Sequence, residues 1–154
     1  MMREDRVTVD RHARTGALVG AGRRPTGLVA SLVCIAGAAL LVVSAIIHLH
    51  LWASGYRSIK TIGPLFLVQG IFGLLLAISV ALIRRVFIAI LGALYAAGTG
   101  AGLLVAVHVG LFGFRESASA PWATTSLIIE GAAVVVLLVA GGLVLRGDRA
   151  GIRR

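Results

Sequence analysis

Polar breaks divide the chain into four long apolar runs, about Gly27–Leu51, Ile62–Ile83, Val86–Leu111 and Trp122–Leu145. Each reaches or exceeds the roughly 20 residues a helix needs to cross a ~30 Å hydrocarbon core. No segment alternates with the period of two that marks a barrel strand. Only helices and closed barrels satisfy their own backbone polar groups in lipid. The pattern therefore predicts an all-α polytopic membrane protein, a four-transmembrane-helix bundle. Arg84 and Arg85 separate the second and third runs without a Gly or Pro. One helix through them from Ile62 to Leu111 would be about 75 Å long, more than twice a bilayer, so a tight hairpin is predicted there. Pro64 and Pro121 mark helix starts, because the missing N–H is harmless in a first turn.

Composition agrees with this pattern. Of 154 residues, 58% are hydrophobic and 14% charged, and the mean hydropathy is +0.99. Soluble domains carry about a quarter charged residues, so a disordered chain and most water-soluble enzymes are excluded. The net charge of +9 is distributed unevenly. All but Arg57, Lys60 and Arg115 of the 15 basic residues lie before Gly27, in the Arg84–Arg85 hairpin or after Leu145. Basic residues near span ends stay on the cytoplasmic side, which places both termini inside and the two longer loops outside. Trp52, Tyr56 and Trp122 then fall at the outer boundary, where amphipathic rings settle. This charge serves topology and attraction to anionic lipid headgroups. A nucleic-acid partner is not expected, since no basic stripe is interleaved with aromatics. The chain is expected to be one membrane domain over residues 27–147. A mostly disordered basic tail over 1–26, too long and polar for a signal peptide, precedes it, and a short basic tail over 148–154 follows.

Small residues indicate where helices approach. Gly92, Ala96 and Gly100 lie four apart in the third span, and Gly98 and Gly102 form a GxxxG pair. Backbones meet closely over such positions in lipid, so the third span is expected to be the central packing helix. Gly73 and Ala77 continue the face of Gln69 in the second span, which makes Gln69 a candidate for interhelical hydrogen bonding.

The candidate chemistry lies in four polar residues inside the apolar runs: His48, Gln69, His108 and Glu130. Glu130 is about eight residues into the fourth span, roughly 12 Å deep. A charge at bilayer centre costs about 2.5–3.5 kcal/mol, so such a carboxyl stays neutral or finds a partner, and it commonly marks a proton, ion or ligand site. His48 closes the first span and shares a face with Ser44 and Leu41; His50 points elsewhere. His108 closes the third span at the same level. Two facing imidazoles suit haem iron or another transition metal, and with Glu130 they make a three-ligand set, although a chain without any cofactor is the default expectation. Each half of the chain places a His at the end of an outward helix and a polar residue in the returning one. All four are expected to converge in the outer half of the bundle. Cys34 is mid-span and without a partner Cys, an inert thiol.

The segment from His48 through Trp52, Gly55-Tyr56-Arg57 and Gly63-Pro64 to Gln69 resembles a signature of small uncharacterised four-span membrane proteins of actinobacterial type. The resemblance brings no activity with it. It implies that the first outer loop and the Gly63-Pro64 helix start act together with His48 and Gln69.

No HExxH, nucleophile triad or catalytic domain is present, so an enzyme is not expected. Three functions fit. The first is an accessory or interaction subunit of a larger complex in the plasma membrane, with a protein partner or as a homo-oligomer. The second is a proton- or ion-coupled transporter or small channel using Glu130. The third is a haem, metal or quinone redox protein using His48 and His108.

Overall fold

A computed structural model describes residues 25–152. Within them the chain is all-helical: α1 (Pro25–Ala53), a single 3-10 turn (Tyr56–Ser58), α2 (Ile62–Ile83), α3 (Val86–His108) and α4 (Ala123–Ile152). All four long helices are apolar enough to cross a membrane. The shortest, 22 residues, is about 33 Å long and covers the hydrocarbon core. This is a multi-pass membrane protein. The described chain ends and the Arg84–Arg85 hairpin share one end of the bundle, the hairpin end. The two longer connections share the other, the loop end.

The hairpin is as tight as the spacing demands. Arg84 takes a left-handed conformation (φ 48°, ψ 46°) that stops α2, and Arg85 is extended before α3 begins. The Arg84 guanidinium donates to the last-turn carbonyl of Ala81 at 3.1 Å and to the Ser31 hydroxyl of α1 at 2.9 Å. It thus satisfies one of the carbonyls that a helix end leaves open.

Packing departs from expectation. α1 lies against α2 on one side and α4 on the other, α4 also holds α3, and α2 meets α3 only sparsely. The central pair is therefore α1 and α4, and the third span is a flanking helix. Their seam is filled by Cys34, Ala38 and Leu41 of α1 and by Ala133, Leu137 and Ala140 of α4. Gly92 and Ala96 do pack as expected. A Cβ at Gly92 would stand 3.0 Å from the Leu137 side chain, and Ala96 is fully covered. Gly73 makes room for the Tyr95 hydroxyl, which would lie 2.7 Å from a Cβ there. Gly98 and Gly102 differ from expectation: a Cβ on either would meet nothing within 4 Å, so this GxxxG pair joins no helices among the described residues.

Two boundaries also move. α3 stops at His108 rather than Leu111, because Gly110 (φ 97°) turns the chain and Leu111 pairs with Phe114. Phe112 and Gly113, both at positive φ, form the tip of this tight turn. α4 runs on to Ile152, past the expected Leu145, so the C-terminal basic segment starts as helix. Arg149 there sits in the last turn, at the helix end whose dipole favours cations. Pro64 lies in the first turn of α2, whereas Pro121 precedes α4 by two residues. The tail expected over residues 1–26 lies, as far as residue 24, outside the described residues.

Candidate functional site

The buried polar side chains of the spans, Ser44, His48, Thr99, Ser126 and Glu130, gather towards the loop end. Ser44 and His48 stand one turn apart on α1 and both are buried. His48 Nδ1 lies 2.8 Å from the Ser44 carbonyl oxygen. A carbonyl only accepts, so Nδ1 carries the hydrogen, and in the neutral ring Nε2 is a bare acceptor. Nε2 faces α4, where Glu130 Oε1 lies 3.7 Å away. Glu130 is 2% exposed, and its Oε2 has no hydrogen-bond partner; nor has the Ser44 hydroxyl. The hydroxyls of Ser44 on α1 and Thr99 on α3 both border the same carboxyl, and Thr99 donates its hydrogen to the Ala96 carbonyl at 2.9 Å. A Cβ at Gly100 would stand 3.2 Å from Glu130 Oε2, so this glycine, expected to serve helix packing, makes room for the carboxyl.

Glu130 and His48 form part of the wall of a cavity of about 160 Å³ at the loop end. α2 contributes Phe66 and Gln69, α3 contributes Thr99, Gly102 and Leu103, and α4 adds Ser126. Val68 also lines it and is 61% exposed, so the cavity reaches the lipid-facing surface where α2 and α3 are sparsely packed. Gln69 is thus a wall residue. The hydrogen bond between its helix and α3 is made by Tyr95, whose hydroxyl donates to the Gln69 backbone carbonyl at 2.7 Å.

The loops close the cavity from above. The Tyr56 hydroxyl donates to Glu116 Oε2 at 2.7 Å, which ties the first loop to the second. The Tyr56 ring stands edge-on to Phe66 and Phe114, with centroids 5.1 Å and 6.0 Å apart. Burial, and then the Glu116 carboxylate, push the Tyr56 hydroxyl up to about 12 from its ordinary 10.0. Because the folded form holds its proton more tightly than the unfolded chain, this tie is at full strength below about pH 10 and is lost as pH rises towards about 12. Tyr56→Phe is therefore expected to lower stability by on the order of 1 kcal/mol near neutral pH. The gap between wild type and variant should close at high pH, which parallel thermal-unfolding series across pH will check.

Three of the four expected polar residues meet: His48, Gln69 and Glu130. His108 does not. Its side chain is exposed, its backbone carbonyl accepts from Arg115 at 2.9 Å, and it is not part of the cavity wall. α3 is rotated so that Thr99 and Ala106 face inward instead. The metal set of His48, His108 and Glu130 is therefore not assembled. Among the described residues no three His, Cys, Asp or Glu side chains gather to hold a metal ion. His50 packs its ring on Trp122 at 5.8 Å.

Sequence reasoning passed over Glu116, Phe66, Phe114, Thr99 and Tyr95. Glu116 left a signal, since it and Glu130 are the only acids between Asp10 and Asp148. No protein-family model matches the chain, and no curated protein and no solved structure matches it.

Proposed function

We propose that the protein is a proton-coupled transporter of a small molecule, with the loop end outward, both termini cytoplasmic, in the plasma membrane. One observation carries this reading: Glu130, buried 3.7 Å from His48 on a cavity wall, keeps an unpartnered carboxyl oxygen. A carboxyl at this depth costs free energy that a purely structural residue would offset with a full set of partners. With Nδ1 committed to the Ser44 carbonyl, the pair holds a single proton, either on Glu130 or on Nε2 of His48. At 3.7 Å there is no standing hydrogen bond to lock it in place. Such a proton is available for exchange with whatever enters the cavity. Between this site and the hairpin end, the packed side chains of Leu41, Val80 and Leu137 close the bundle to water. The sparse α2–α3 seam is where the bundle can part with the least loss of packing.

Infrared titration tests the reading. Wild-type protein in bilayers is expected to show a carboxylic-acid carbonyl band that titrates with pH and is missing from Glu130→Gln. A Glu130 that stays in one protonation state at every pH where the protein remains folded contradicts proton coupling.

A second reading, an interaction subunit or homo-oligomer, is favoured by one feature. Gly98 on flanking α3 is exposed, and a Cβ there would meet nothing within 4 Å among the described residues. Gly98→Ile is therefore expected to leave the stability of the isolated chain within about 0.5 kcal/mol. If α3 docks on another helix through this face, the same variant disperses the assembly, which native mass spectrometry in mild detergent will show.

A further inference from the structure

We infer that the ligand of the loop-end cavity is a compact lipophilic monocation, an ammonium group carrying about one ring's worth of apolar surface; this deepens the transporter reading and rests on it.

The argument comes from what lines the cavity. Its acidic side chains are Glu116 and Glu130, and it has no Lys or Arg. The basic loop residue nearest in sequence, Arg115, is turned to the His108 carbonyl. Glu116 already accepts hydrogen bonds from the Tyr56 hydroxyl and the Ser117 amide, and it still contributes negative potential at the loop end. Glu130 is different: it is part of the cavity wall, and its buried Oε2 has no hydrogen-bond partner. Beyond the polar His48, Gln69, Thr99 and Ser126, the wall is apolar and aromatic, with Tyr56, Phe66, Phe114 and Trp122 all taking part. Aromatic rings attract cations that have shed water, and a desolvated contact is worth about 2 kcal/mol. An anion would meet two carboxyl groups and no Lys or Arg, whereas a neutral apolar molecule would leave the Glu130 carboxyl without a charge partner. Size sets the limit. A cavity of about 160 Å³ accepts a benzene-sized group. A longer chain would leave along the lipid-facing side by Val68.

Proton coupling follows from charge. A cation beside Glu130 favours the carboxylate, so the proton held by the pair is expelled. The other groups around Glu130 do not substitute for it. α1 offers Ser44 and His48, α3 offers Thr99 and the Tyr95 hydroxyl, which is bonded to Gln69, and α2 offers only the uncharged Gln69. The other charge on the wall is Glu116.

The test uses the full chain in detergent with benzyltrimethylammonium and its uncharged carbon isostere, neopentylbenzene. Binding is read from Trp122 fluorescence in a Trp52→Phe background. The cation is expected to bind about thirtyfold more tightly than the isostere, the equivalent of about 2 kcal/mol. Benzyltrimethylammonium has no proton to give, so proton release on binding in weakly buffered solution must come from the protein. Release is expected in wild type and absent in Glu130→Gln. Should that variant fail to fold, Phe66→Leu provides the second test: it is expected to weaken the cation and leave the isostere unchanged. Equal binding of cation and isostere, or binding of neither, overturns the cation assignment. In both cases the infrared titration of Glu130 decides separately whether proton coupling survives.

Discussion

Glu130→Gln is expected to reduce proton movement coupled to a transported cation to the level of protein-free liposomes, with the four-helix bundle still assembled. The substitution keeps the volume of the side chain, and its amide offers an N–H on the side of His48 Nε2 where the neutral carboxyl offers an O–H. What it loses is the proton that can leave. Assembly should survive because Glu130 is poorly bonded to begin with: Oε2 has no partner, and Oε1 lies 3.7 Å from His48 Nε2. Liposomes loaded with a pH-sensitive dye provide the readout. Outside addition of the cation should make the interior of wild-type vesicles more alkaline, and that of the variant should not change. Equal responses from the two proteins would assign Glu130 to helix packing.

The second large effect is expected at the seam of the bundle. Leu137 is fully buried, and its terminal carbons occupy the space left by Gly37 of α1 and Gly92 of α3. It therefore joins three helices at one point. Leu137→Ala is expected to cost about 2–3 kcal/mol, the lower part of the range for such truncations. The lower part applies because an unfolded chain in lipid is already in an apolar solvent, and only the packing contacts are lost. Leu138, one residue on and 55% exposed, provides the control. Leu138→Ala should change stability by no more than about 0.5 kcal/mol. Reversible unfolding in mixed micelles compares the two. A similar loss at both positions would mean that the α1–α4 seam does not hold the bundle together.

The fold was legible in the sequence because the membrane leaves a chain few options. Four apolar runs of bilayer length admit four helices, and the Arg84–Arg85 break admits only a tight turn. Depth along each span was legible for the same reason, and it brought His48, Gln69 and Glu130 to one level. Rotation about each helix axis was not. In water, the buried face of a helix is marked by contrast with its polar side. In lipid, the outer face is as apolar as the core, so nothing in the pattern showed whether His108 or Thr99 pointed inward. Gly98 and Gly102 misled for the same reason, since small residues mark close approach without saying which helix arrives. Glu116 and Phe114 reach the cavity through the turn at Gly110–Phe114, a loop path with no helical period to follow.

The shared proton of His48 and Glu130 is tested most directly by nitrogen NMR of the His48 ring in bilayers across pH. In wild type, Nδ1 is expected to stay protonated on the Ser44 carbonyl while Nε2 gains and loses a proton with pH. The midpoint should shift in Glu130→Gln. An Nε2 that keeps one state throughout, or that titrates identically in both proteins, would contradict a proton shared between the two residues.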